Sequence, residues 1–145
     1  MLKHLPPLLT PDALFALASM GHGDDVAIVD ANFPAARVAA AGGARLVQLP
    51  GADAPAALAA VLAVLPVDDF EPAPTRFMEV VGEPGAVPPP VAAFQALLAE
   101  AGEAPAQGLE RHAFYAAAQS AFVILRTGEG RPYGNLLLRK GVVRQ

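Results

Sequence analysis

The side chain best suited to proton chemistry in this 145-residue chain is a histidine, and one of its three lies in Gly21-His22-Gly23-Asp24-Asp25. Glycines on both sides make a flexible turn where a ligand can approach closely. An imidazole with an intrinsic pKa near 6.5 gives or takes a proton at neutral pH. The same residues also read as a helix stop followed by a polar turn, and local composition alone favours that plainer reading. Asp30 is the second candidate, because it follows the apolar run Val26-Ala27-Ile28-Val29. The carboxyl end of a buried strand is where open α/β sheets bind ligands. A carboxylate there can accept hydrogen bonds from sugar hydroxyls, or can simply cap the loop at Asn32. No metal is expected: His4 and His112 stand at no ligand spacing from His22, and the chain has no cysteine. Gly128-Glu129-Gly130 follows a strand but opens no helix, so it fails the phosphate-binding pattern, and there is no Gly-x-Ser-x-Gly elbow.

These candidates need elements to hold them. Thr10-Pro11-Asp12 reads as a helix start, with Leu14, Leu17 and Ala18 as its apolar stripe and Gly21 as its stop. Val26 to Val29 shows no polar alternation and reads as a strand buried on both faces. A short helix is expected over Ala35 to Ala41, a strand over Arg45 to Leu49, and a helix capped by Asp53 running to about Leu65. After a proline-punctuated middle, Arg76 to Val81 reads as a strand and Val91 to Ala101 as a helix stopped by Gly102. The helix Glu110 to Gln119 places Arg111 and Tyr115 one turn apart on one face. Ala121 to Arg126 and Leu136 to Arg139 read as strands joined by a long, Gly-rich, hairpin-like connection. Early alternation of helix and strand with a β-β end predicts an α/β fold: one domain over residues 1–145, a mixed β-sheet flanked by helices.

Composition narrows the class of function. Hydrophobic residues make up 54% of the chain, enough for a sizeable core and too many for a disordered polar segment. A net charge of -4 argues against a nucleic-acid partner, which calls for a basic stripe. The most apolar run, Ala54 to Leu65, falls short of the roughly 20 residues that span a bilayer, so no membrane association is expected. Met1-Leu2-Lys3-His4-Leu5-Pro6-Pro7 lacks the apolar stretch of a secretory signal, and a cytoplasmic protein is the expectation.

Placed in order along the chain, these pieces resemble the RbsD/FucU family of sugar mutarotases and pyranases. The resemblance runs through Met1-Leu2-Lys3, the segment Pro7 to Pro11, Met20-Gly21-His22-Gly23-Asp24 and Asp30-Ala31-Asn32-Phe33-Pro34. It returns in Arg111-His112-Ala113-Phe114-Tyr115, Thr127-Gly128-Glu129, Tyr133-Gly134-Asn135 and Lys140-Gly141, whereas Gly51 to Gly108 carries no functional motif that matches. The resemblance implies a three-layer α/β fold, a free monosaccharide as substrate and no cofactor. It implies His22 as the catalytic proton donor, with sugar contacts from Asp30, Arg111, Tyr133, Gly134 and Asn135. The Arg111-Phe114-Tyr115 helix and Tyr133-Gly134-Asn135 look like the L-fucose mutarotase branch, since the ribose pyranase branch typically carries a histidine where Arg111 stands.

Interconverting α and β anomers breaks and remakes the bond between C1 and the ring oxygen. One group must protonate the ring oxygen while another takes the proton of the anomeric hydroxyl, which is general acid–base work worth roughly 10²–10⁴-fold. His22 suits the acid; Tyr133, Asp30 or a water are the candidates for the base. Arg111 offers planar donors to vicinal hydroxyls, and Asn135 offers a donor and an acceptor. His22 precedes the strand that Asp30 follows, so the two share one sugar only if the turn folds back or if they come from different subunits. The family's ring-like homo-oligomers, with sites at subunit contacts, imply the second arrangement. Two other functions remain compatible with the residues: a pyranase acting on D-ribose or another sugar, and a non-catalytic monosaccharide-binding accessory protein. The latter keeps Asp30, Arg111 and Asn135 but has no need of a titrating His22.

Overall fold

The structure, a computed structural model, describes residues 1–145. Five helices and six strands alternate along the chain: α1 (Pro11–Ser19), β1 (Asp25–Val29), α2 (Ala35–Gly42), β2 (Arg45–Leu49), α3 (Ala54–Leu62), β3 (Thr75–Met78), α4 (Pro89–Glu100), β4 (Gln107–Leu109), α5 (Arg111–Gln119), β5 (Val123–Thr127) and β6 (Leu136–Arg139). The strands form one mixed sheet in the order β2-β5-β1-β6-β3-β4. β1 and β2 both run parallel to β5, β6 runs antiparallel to β1 and β3, and β3 runs parallel to β4.

Strand side chains alternate between the two faces, and each face has its own core. Val26, Ile28, Val123, Leu125, Leu136 and Leu138 join the residues of α1, α3 and α4 on one side. Ala27, Val29, Ile124 and Leu137 join Val38 and Ala39 of α2 and Phe114 and Ala118 of α5 on the other. This is the three-layer α/β arrangement, with the central strands apolar on both faces because both are covered. Local signals set several helix starts. Thr10 Oγ1 accepts from the Ala13 amide (3.2 Å), Asp53 Oδ1 from Ala56 (2.7 Å), and Glu110 Oε2 from His112 and Ala113 (2.9 and 3.1 Å). No helix is long and apolar enough to cross a membrane.

Four local expectations are corrected. β5 and β6 are not a hairpin: β1 lies between them, so residues 128–135 cross the end of β1 instead of turning tightly. The long loop makes this possible, and the amide of Ala31, just past β1, donates to the Glu129 carbonyl at 2.9 Å as the loop passes. α3 stops at Leu62 and β3 at Met78, both short of their expected ends. β4 was not expected; three residues, Gln107 to Leu109, are too few to show a period, and only the open edge of β3 makes them a strand. The first helix ends at Ser19 with its cap at Met20, so Gly21 follows directly at the position expected of its stop.

Candidate active site

The crossing loop brings chemistry to the carboxyl end of β1. An open cavity of about 250 Å³ there is lined by Asp30, Asn32, Phe33, Met78, Arg111, Tyr115, Pro132, Tyr133 and Asn135. Asp30 is buried, and its neighbours account for most of its hydrogen-bonding capacity. Its Oδ1 accepts from the Asn32 amide (3.0 Å) and its Oδ2 from Asn135 Nδ2 (3.1 Å), while its own N–H donates to Asn135 Oδ1 (2.9 Å). Asn135 therefore grips Asp30 from both ends of its amide, which sets the orientation of both groups. Burial pushes the Asp30 carboxyl above its ordinary value, against the amides of Asn32 and Phe33, the Asn135 side chain and the amide of Gly134, all of which favour the charged form. Such a carboxylate retains lone pairs for a polyol and holds its proton more tightly than a solvated one.

The other walls come from separate elements. Arg111 opens α5, and its guanidinium lies 5.6 Å from the Tyr115 ring centre, the one-turn relation expected from the spacing. Tyr133 has φ of 63°, an uncommon conformation for a residue with a side chain, and its hydroxyl accepts from the Val81 amide at 3.3 Å. Gly134 is buried beneath it, where an added Cβ would sit 2.7 Å from Glu129 Cγ and 3.5 Å from Asp30 Cβ. Glu129 anchors the loop from below. Its carboxylate receives a forked pair from Arg131 (2.9 and 2.8 Å) and the Ala54 amide (3.4 Å). The Arg131 hydrogen bonds, ahead of the burial that opposes them, hold the Glu129 carboxyl down at about 2.

His22 is not in this cavity. It lies at the other end of β1, whose five residues, rising about 3.3 Å each, separate the two ends by roughly 17 Å. Its turn is tied down instead of folding back. The Gly21 amide donates to Asp24 Oδ2 (2.7 Å), Gly23 takes the left-handed φ of 85° that a glycine adopts freely, and the Gly23 amide donates to the Lys140 carbonyl (2.9 Å). His22 Nε2 lies 3.0 Å from Oδ1 of Asp68, and its ring packs tilted against Phe70 with centroids 5.0 Å apart. The imidazole is half exposed (47%), whereas the Asp68 side chain is almost wholly buried (1%). Burial works against charge on Asp68, but hydrogen bonds from His22 and from the Phe70 and Glu71 amides outweigh it and hold the carboxyl below its ordinary value. An ionised Asp68 can only accept, so it takes the hydrogen bond from Nε2–H and leaves Nδ1 without a partner in the chain.

Of the sequence candidates, the structure gathers Asp30, Arg111, Tyr133 and Asn135 around one cavity, packs Gly134 under it, and leaves His22 apart. Asp68 was missed, as were Met78, Phe33 and Pro132 in the cavity wall. Asp68 and Met78 lie in the proline-punctuated middle, where no spacing relates them to His22 or Asp30. Phe33 and Pro132 sat beside recognised residues, and their role was open to reading from adjacency alone.

The model of the RbsD / FucU transport protein family matches residues 3–143. The fucose mutarotase of Bos taurus is 41% identical over 146 residues, covering 99% of this chain and 95% of its own. A crystal structure of the fucose mutarotase in complex with L-fucose from Streptococcus pneumoniae superposes with a TM-score of 0.90 at 33% identity, covering 99% of this chain and 100% of the other. The structure of Bacillus subtilis RbsD complexed with D-ribose superposes with a TM-score of 0.76 at 25% identity, with 99% and 100% covered.

Proposed function

The chain belongs to the RbsD/FucU family, and from that premise we propose that it is an isomerase that interconverts the α and β anomers of L-fucose in the cytoplasm. The observation that carries this reading is the cavity at the end of β1, where a buried carboxylate, a carboxamide, a guanidinium and two tyrosines converge on a space open to a small polyol. Asp30 accepts sugar hydroxyls, Arg111 and Asn135 supply donors, and the Tyr133 ring offers a face to the sugar's C–H patch.

His22 is the proton donor in this reading. Its imidazolium protonates the ring oxygen, a base takes the proton of the anomeric hydroxyl, and cleavage of the bond between C1 and the ring oxygen gives the open-chain aldehyde. Rotation about C1–C2 and the reverse proton transfers close the ring on the other face. Asp30 is the base the cavity offers, since burial raises its proton affinity. No redox step or net consumption of a proton is involved.

A single chain does not bring His22 and Asp30 to one sugar, because β1 stands between them. The working site therefore combines the Asp30 cavity of one protomer with the His22 turn of its partner in a homo-oligomer. The test is saturation transfer between the anomeric protons of L-fucose, D-ribose and D-galactose, with and without protein. Enhanced transfer for L-fucose that disappears in His22→Ala is expected. Unchanged transfer for every sugar sinks the enzyme reading, and transfer that survives His22→Ala removes only the histidine from its role.

A further inference from the structure

Lys140-Gly141 is a recognised motif that neither the cavity nor the proton transfer uses, and it lies at the exit of β6. Four of the backbone hydrogen bonds made by the exit's three residues, Arg139 to Gly141, reach two different turns. On one side the Gly23 amide donates to the Lys140 carbonyl (2.9 Å) and the Lys140 amide donates to the Asp24 carbonyl (2.8 Å), which holds the His22 turn. On the other side the Asp68 amide donates to the Arg139 carbonyl (3.0 Å) and the Gly141 amide donates to the Pro66 carbonyl (2.8 Å), which holds the Asp68 turn. The Arg139 side chain adds a fork onto Asp25 (3.2 and 3.4 Å), pinning the start of β1 to the same strand end.

Gly141 is where this arrangement leaves no slack. It is buried, and a Cβ built on it would lie 2.5 Å from the Val67 carbonyl oxygen, 2.8 Å from the Val67 carbonyl carbon and 2.9 Å from Asp68 Cα. All three are backbone atoms, so no side-chain rotation relieves the contact. The Val67-Asp68 peptide must retreat by about 1 Å to restore ordinary van der Waals separation. That peptide carries the carboxylate which receives the His22 Nε2 proton.

We infer that the exit of β6 is the jig that sets the His22–Asp68 pair, and that Gly141 is a positioning residue for His22: its missing side chain lets Asp68 reach the imidazole. Gly141 touches no substrate; it acts through the Val67-Asp68 backbone. Its catalytic consequence rests on His22 being the proton donor, but its effect on the imidazole does not.

The test uses full-length Gly141→Ala with two readouts. Saturation transfer with L-fucose reads turnover; kcat is expected to fall roughly 10–100-fold with KM within about twofold, as for a misplaced acid in an intact sugar cavity. Long-range ¹H–¹⁵N spectra at about pH 8, where a free imidazole is neutral, read the tautomer of His22. The wild type should show the Nε2–H form that Asp68 enforces, and Gly141→Ala the mixture of a free imidazole. A folded Gly141→Ala protein with the wild-type tautomer and wild-type kcat overturns the inference. Amide exchange in the wild type decides the matter even if the variant does not fold. Gly23, Asp68, Lys140 and Gly141 amides should exchange at one common, protected rate, and Gly23 and Asp68 exchanging like exposed turns overturns the jig. Tautomer and exchange need no sugar, so they stand or fall apart from the L-fucose reading, which fails on wild-type saturation transfer alone.

Discussion

His22 and Asp68 stand 46 residues apart in the chain and 3.0 Å apart in space, the imidazole Nε2–H donating to a carboxylate that solvent barely reaches. The pairing assigns the two ring nitrogens different tasks. Nε2 is committed to the protein, which leaves Nδ1 as the nitrogen that would meet a ligand in the proposed mechanism.

Asp68→Asn tests the worth of that commitment. The carboxamide keeps the shape but withdraws the negative charge that stabilises an imidazolium. Turnover should drop by about 10–100-fold, as when carboxylate partners of metal-bound histidines are removed. KM should hold near its wild-type value, since Asp68 acts through His22 and is not one of the residues lining the sugar cavity. Saturation-transfer kinetics over a range of sugar concentrations separates the two constants.

The separation of His22 from Asp30 along β1 makes a second expectation. His22→Ala and Asp30→Ala proteins should each be inactive, and dissociating and reassembling them together should restore part of the activity. Each mixed contact can pair an intact His22 turn with an intact Asp30 cavity. Activity of the remixed sample no higher than either parent places both residues in one protomer's site and removes the shared-site reading.

Asn135→Ala withdraws two of Asp30's hydrogen bonds at once, leaving a buried N–H without its acceptor and a buried carboxylate oxygen short of a donor. Urea unfolding should show a loss of about 1–3 kcal/mol. The variant should also move the acid limb of sugar binding. Asp30 already protonates above the ordinary aspartate value because burial opposes its charge, so binding weakens as pH falls through that raised value. Asn135 partly offsets the burial, so its removal should shift the limb to still higher pH, read from KM against pH.

Glu129→Gln probes the brace under Tyr133-Gly134-Asn135. The Glu129 carboxyl is held at about 2, well below its ordinary 4.5, chiefly by its fork from Arg131. A carboxyl depressed on folding contributes stability in full above its unfolded value and loses it as pH falls through the folded value. The urea midpoint of the wild type should therefore exceed that of Glu129→Gln at neutral pH. The gap should close progressively between pH 4.5 and about 2. A gap independent of pH across that window refutes the charge-based account of the brace.

The parts of the site legible in the sequence were those defined by short-range geometry. Thr10 and Asp53 cap helices because the bonds they make are to amides three residues on, and Arg111 meets Tyr115 because four residues make about one helical turn. Val26 to Val29 declared a strand covered on both faces, and Asp30 followed as its ligand-facing end. The cavity's remaining members were harder to see for a physical reason. Met78 joins the Asp30 cavity only because β6 lies between β1 and β3, a strand order that no spacing in the chain encodes.

Relations among neighbours in the chain specify the set of elements and the chemical character of their ends, because capping, helical spacing and two-faced apolarity are all local. The tertiary structure alone decided who meets whom. It placed Asn135 on Asp30 across 105 residues and Asp68 on His22 across 46, and it held His22 and Asp30 a strand's length apart. Such pairings follow from strand order and loop crossing, in which β6 passes on the far side of β1 from β5, and no local spacing encodes that choice.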